Sequence, residues 1–352
     1  MKKNHDPGKR SLQKIIMAKA KPRIRGTGID QDKSEASIAN YSHAGTLLLL
    51  HTVFYLLADL LIQNSPAIRR VLYSNSLSSF AASGLLTQGM LILLPTILII
   101  LIFRIDPAII AGGRPRAGTI ILALAAGIPA AAVFQGLNNL LVYFLIRTGW
   151  QLPASTTPYV FSTDIIWSAP WNIKLVILII SAFLPAFAEE LMFRGVIQGS
   201  LASRSRMAIV IFWQAAAFTL FHLDPLFILP PLLAGLMLGY LRYKSQSLMP
   251  PIICHISLNI SLMLLNPLLP RLTKSMLEIS TETTQSLFYA SLISSCIAAV
   301  ALVPLLVIIG NYSSYTGQEK KRLRLFPGDW KLALALIIML LTIGVSYFNS
   351  IS

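Results

Sequence analysis

Long apolar runs separated by short polar segments set the pattern of this chain. Met90–Phe103, for example, holds no charged residue between its ends. A helix that crosses a bilayer needs about 20 mostly apolar residues. Stretches of that kind lie near 44–63, 79–103, 117–147, 173–199, 207–223, 226–241, 250–267, 285–310 and 331–348. The expected fold is therefore all-α, a polytopic transmembrane bundle of about eight or nine spans. The third stretch is long enough to tilt, or to break near Pro129. The fifth and sixth are short and parted by Asp224-Pro225, so they read as two short spans or one bent hairpin.

Composition agrees with that pattern. The chain of 352 residues is 55% hydrophobic and 12% charged, with a mean hydropathy of +0.68. Soluble domains carry about 25% charged residues. The net charge of +15 does not point to nucleic acid, because Lys and Arg lie between the apolar runs rather than in a patch. With a cytoplasmic N-terminus and nine spans, the inside segments hold 22 of the 29 Lys and Arg. That asymmetry is the positive-inside bias of membrane loops, and it places the chain in a cell membrane as a multi-pass protein. Residues 1–42 hold ten Lys and Arg and no early apolar stretch, so they read as a basic cytoplasmic arm rather than a cleaved signal. Residues 43–352 form the membrane domain. Trp150, Tyr159, Trp167 and Trp171 fall in the outside loop 148–172, as an interfacial aromatic belt requires. Cys254 and Cys296 both sit in apolar segments and read as buried small hydrophobes.

Ionisable residues inside a bilayer are costly and by default mark function. The spans contain His51 and Asp59, Glu189, Glu190 and Arg194, His222, and His255. Glu190 and Arg194 are four apart, share a helix face and pair. Glu189 lies about 100° round an α-helix and is expected to have no such partner. A carboxylate isolated in an apolar place holds its proton more tightly, which suits a general base or acid. The alternative is that all three form one structural ion network. His255 and Asn259, again four apart, aim two polar groups at one point between helices, either as part of a site or as interhelical hydrogen bonds. His222 alone reads equally as a core histidine. His51 and Asp59, two turns apart, are given a structural role.

Three ordered motifs carry a resemblance. Glu189-Glu190-x-x-x-Arg194, Phe218-x-x-x-His222 and His255-x-x-x-Asn259 resemble the EExxxR, FxxxH and HxxxN motifs of the CAAX protease and bacteriocin-processing (CPBP, Abi) family of intramembrane peptidases. Phe193-Arg194-Gly195, Gly235, Gly239-Tyr240 and Pro250-Pro251 agree as well. The likeness spans about residues 173–262. It implies an endopeptidase whose Glu189 activates water, with His222, His255 and Asn259 completing the site and Glu190, Arg194 and Phe218 supporting it. The implied partners are a peptide or membrane-protein substrate and the lipid bilayer. The charge-rich loops look bacterial, so prenylated substrates are not implied.

The residues suit a metal-free hydrolysis fed by a cavity open to the cytoplasm. A zinc variant would use Glu189, His222 and His255 as ligands and leave a fourth position for water. Two rivals remain at this stage: a proton-coupled transporter using the same Glu and His, and a non-catalytic membrane immunity or adaptor protein on the same fold.

Overall fold

The computed structural model describes residues 43–74, 76–148, 150, 169–202, 205–270, 281–312, 326 and 328–351. The basic arm at 1–42 lies outside them. Among the described residues there is no strand, only an isolated bridge between Gly112 and Ser247. Nine main helices among the described residues follow the nine apolar stretches: α1 His43–Asn64, α2 Leu77–Ile102, α3 Ala117–Arg147, α4 Trp171–Ala202, α5 Met207–Phe221, α6 Leu229–Ser245, α7 Met249–Leu265, α8 Thr281–Tyr312 and α9 Trp330–Ile351. Short helices Pro66–Tyr73 and Pro107–Ala111 lie in two of the connections.

Six of the nine, α1 to α4, α8 and α9, are long and apolar enough to cross a membrane. The other three fall short of the roughly 20 residues a full span needs. α5 has 15 residues, and α6 and α7 have 17 each. Of the two readings of the fifth and sixth stretches, the structure has two separate short helices. The outward surfaces of the long helices are apolar, with Leu57 and Leu61 on α1 and Val300 and Val303 on α8 exposed. A soluble protein rarely carries apolar surface on that scale. Trp150 and Trp171 are also exposed, whereas Tyr159 and Trp167 lie outside the described residues. Cys254 is buried, but Cys296 is exposed, because its face of α8 turns outward rather than into the bundle.

α3 runs through the middle of the bundle and does not break at Pro129. It remains one helix from Ala117 to Arg147. Proline removes one intrahelical hydrogen bond, and packing on both sides holds the helix straight enough to continue. Against α7, Gly127 lets the backbones meet: a Cβ there would lie 2.6 Å from the Cys254 carbonyl. Ser257 of α7 donates to the Leu124 carbonyl of α3 at 2.7 Å. Further along, Asn139 of α3 donates to the Pro270 carbonyl and to Ser291 of α8. Buried polar side chains in this bundle are spent on helix-to-helix hydrogen bonds, as membrane bundles require.

Hydrogen bonds between connections identify one end of the bundle. Gly45 N–H donates to Asp329 Oδ2, Arg116 donates to the Tyr312 carbonyl, and Leu248 N–H and Gly113 N–H pair with Ala111 and Gln246. This end gathers the starts of α1, α3, α7 and α9 and carries the basic connections. Asn138 donates to the Leu226 carbonyl at the opposite end.

The tight α3–α7 crossing sets an expectation. Gly127→Leu forces the two backbones apart and lowers stability by about 1–3 kcal/mol. Gly344→Ala on α9, where nothing lies within 4 Å of the added Cβ, is neutral or stabilising by up to about 1 kcal/mol. Thermal unfolding in detergent distinguishes the two; equal midpoints would mean that the crossing is not close-packed.

Candidate active site

Two prolines shape the helices that build the site. Pro185 in α4 has no N–H for the carbonyl four residues back, and the helix widens just before it. Over Ile179–Phe183 the backbone is π-helical, with Leu184 N–H donating to the Ile179 carbonyl. A second widening, Leu191–Ile197, follows Glu190 directly, and there Gln198 N–H donates to the Phe193 carbonyl. α2 repeats the device before Pro95, with a π-helical stretch over Leu85–Leu93. Such turns are rare and gather at functional sites. Here they occur in the two helices that face each other across the site.

The carbonyl that Pro95 frees on α2 is that of Leu91. His51 of α1 donates to it from Nδ1 at 2.8 Å and packs on Phe221, ring centroids 4.4 Å apart. The structural role expected of His51 thus has a concrete form. It satisfies a backbone group that would otherwise be stranded in an apolar core. Asp59 does not share that work. It accepts from Gln63 at 2.7 Å and lines a cavity further along α1.

Glu190 is the hub of the site. Arg194 Nη1 donates to its Oε1 at 2.8 Å, and both side chains are wholly buried. The same Oε1 accepts from His255 Nδ1 of α7 at 2.9 Å. The Arg194 guanidinium lies over the Phe218 ring, 4.6 Å from its centroid, and Phe218 meets Phe193 edge-on at 4.9 Å. Arg194 is therefore held by a carboxylate on one side and an aromatic face on the other, the two partners that suit a planar cation away from water.

Glu189 is not the isolated carboxylate the sequence implied. Gln88 of α2 donates to its Oε1 at 3.2 Å. Its Oε2 faces His255 Nε2 at 3.9 Å, beyond a hydrogen bond but within reach of a small shift. Glu189 and His255 are both buried, at 5% and 4% exposure. His255 thus stands between the two acids, with Nδ1 on Glu190 and Nε2 towards Glu189. Because the carboxylate on Nδ1 accepts, that nitrogen is the donor to Glu190, and Nε2 is the ring atom turned to Glu189.

His222 stands apart. It follows the last residue of α5, and its Nδ1 donates to the Phe218 carbonyl at 2.7 Å, which leaves Nε2 open. No hydrogen bond joins it to Glu189 or His255 among the described residues. The link is the Phe218 ring, 4.9 Å from the His222 ring and 6.2 Å from that of His255. Asn259 sits half-buried one turn beyond His255 on α7, and no hydrogen bond of its side chain is seen among the described residues. The structure thus brings Glu189, Glu190, Arg194, His255 and Phe218 into one contact network, with His222 at its edge.

No group of three or more His, Cys, Asp or Glu placed to hold a metal ion occurs among the described residues. Glu189, His222 and His255 do not form such a group in this structure. His222 borders a cavity of about 650 Å³. It lies at the end of the bundle away from the basic connections.

Gln88 was missed by sequence reasoning. The signal was an amide in the apolar run 79–103, seven residues before a proline, but it belongs to none of the motifs. Gln214 and Gln198 are similar. They donate to the Gly235 and Gly239 carbonyls of α6, where glycine allows close approach; a Cβ at Gly235 would lie 2.8 Å from the Ala215 Cα. Both motif glycines therefore dock α6 behind the site.

No curated protein matches the chain. Residues 170–261, from the start of α4 into α7, match the family described as type II CAAX prenyl endopeptidase Rce1-like. The matched stretch holds Glu189, Glu190, Arg194, Phe218, His222, His255 and Asn259.

Proposed function

We propose that the chain is an intramembrane endopeptidase in which Glu189 activates water against a peptide bond. The observation that carries this reading is the arrangement of Glu189 beside His255 and Gln88, with Glu190 and Arg194 fixing His255 from behind. The Rce1-like domain supports the same reaction class.

In this mechanism Glu189 takes a proton from water, and the hydroxide adds to the scissile carbonyl. The negative oxygen that forms is met by the Asn259 amide and by His255 as imidazolium, which donates from Nε2 while its Nδ1–H stays on Glu190. A donor of this kind is worth about 3 kcal/mol in the transition state. Glu189 then returns its proton to the leaving amine as the C–N bond breaks. His222, with Nδ1 tied to the Phe218 carbonyl, offers Nε2 as an acceptor that orients the attacking water. Gln88 holds the Glu189 carboxylate in place, and the Glu190–Arg194 pair keeps His255 Nδ1 protonated and its ring in one orientation. The reaction needs no metal. The substrate is a peptide or a membrane-protein segment, and the protein works in the cell membrane with its basic arm on the cytoplasmic side.

Glu189→Gln keeps the shape of the side chain and removes the base. Cleavage of fluorogenic peptides by reconstituted protein should fall by about 10²–10⁴-fold with the unfolding midpoint little changed. Wild-type rates in this variant would sink the mechanism, and cleavage abolished by a chelator would sink the metal-free form.

Gln88→Leu removes a hydrogen bond to a charged group, worth about 1.5–3 kcal/mol. The expected result is a fall in kcat of roughly 10- to 100-fold at similar KM; an unchanged kcat would remove Gln88 from the site. Arg194→Met acts differently, because it strands Glu190 in the core. Breaking such a pair costs about 3–5 kcal/mol, so this variant should unfold well below Glu189→Gln in the same detergent. Matching midpoints would show that the pair does not hold the core.

A further inference from the structure

His222 forms part of the wall of the 650 Å³ cavity, together with Tyr55 and Asp59 of α1, Tyr73, Thr87 of α2, and Asp224. Every one of these positions belongs to the same end of the bundle: the second half of α1, the first half of α2, and the connections that follow α1 and α5. The opposite end is the one fixed by the Gly45–Asp329, Arg116–Tyr312 and Leu248–Ala111 hydrogen bonds. The segments that start or finish there, with the N-terminal arm, carry 22 of the 29 Lys and Arg, and those at the cavity end carry six. Basic residues stay on the cytoplasmic side during membrane insertion. The cavity end is then the extracytoplasmic end.

The cavity also adjoins the residue that holds the hydrolytic carboxylate. Thr87 lines it, and the next residue, Gln88, donates to Glu189 Oε1. Its walls set two carboxylates, two phenols and an imidazole among apolar side chains such as Leu72, Leu86 and Phe227. They suit the backbone of a hydrated peptide, which must keep its N–H and C=O groups paired. The cavity also explains Asp59, a carboxylate in a spanning helix that would be costly against hydrocarbon but not against water.

We propose that this cavity is the substrate vestibule of the site, and that it admits peptide segments presented on the extracytoplasmic face of the membrane. The chemistry of the proposal rests on the hydrolysis reading above; the face does not.

The test uses the full chain with Cys296→Ala, since Cys254 is buried. Ala58→Cys places a thiol in the cavity wall and Ala111→Cys places one at the opposite end, where Ala111 is exposed. In intact cells, a membrane-impermeant maleimide should label position 58 directly and position 111 only after permeabilisation. The reverse pattern overturns the assignment of the face. Ser83→Cys, also in the cavity wall, serves if Ala58→Cys does not fold. With purified protein in detergent, a bulky maleimide adduct at position 58 should slow cleavage of a soluble peptide at least tenfold, and the adduct at position 111 should not. Equal rates would overturn the vestibule and leave the hydrolysis reading standing. Absence of cleavage by unmodified protein would overturn that reading and the vestibule with it, while labelling still reports the face.

Discussion

One carboxylate oxygen holds this structure together at its centre. Glu190 Oε1 accepts from Arg194 on its own helix and from His255 on α7. In water, either contact would be one of many available to these groups. In a core without water the alternatives vanish, and removing any one partner leaves a buried group unsatisfied. The arrangement therefore specifies more than a pair. It sets the rotation of α4, because Glu190 and Arg194 must both face inward, and it sets the depth of α7, because His255 must reach that oxygen. The guanidinium then fixes Phe218 on α5, and Phe218 carries the two imidazoles on either side of it. Three helices are indexed to one another through a single atom.

The cost of such a core is paid in backbone geometry. Adjacent acids on a regular helix point about 100° apart, so a helix that turns one inward tends to turn the other towards a neighbour. The π-helical stretches on either side of Glu189 and Glu190 reset the phase of α4, and the matching stretch in α2 brings Gln88 to the carboxylate that Glu190 does not use. Prolines at 185 and 95 initiate the distortion by removing N–H groups. The carbonyl freed on α2 is recovered by a side chain, His51. That recovery is local, as an apolar environment demands.

These relations explain which parts of the structure were legible in the sequence. The nine apolar stretches gave the helices, because hydropathy over a span is a sum that no single contact can overturn. Glu190 and Arg194 were legible as a pair because i, i+4 spacing is local. His255 on Glu190 was not, since nothing in the spacing of α4 and α7 says which acid a histidine will choose. Gln88 was hidden for the same reason: its partner lies 101 residues away. The supposed isolation of Glu189 failed there, because reading one helix cannot reveal what the facing helix supplies. Pro129 misled in the opposite direction. Proline disfavours helix locally, and the packing of α3 between α7 and α8 overrides it.

The shortness of α5, α6 and α7 bears on how water reaches the site. At 1.5 Å per residue, α5 is about 22 Å long, against a hydrocarbon core of about 30 Å. A helix of that length cannot present both ends at the two interfaces unless the bilayer thins around it or longer helices shield it. α1, α2 and α9 supply residues around the cavity that His222 borders, so shielding is available on that side. His222 comes just after the last turn of the short α5, where helix carbonyls lack intrahelical donors and water is tolerated. Placing a motif histidine at the end of a truncated helix lowers the wet surface towards the buried acids instead of drilling a channel through a full-length span. The same truncation would be harmful in a helix facing lipid. It is tolerated here because α5, α6 and α7 are flanked by full-length helices, two of which, α4 and α2, also carry Glu189 and Gln88.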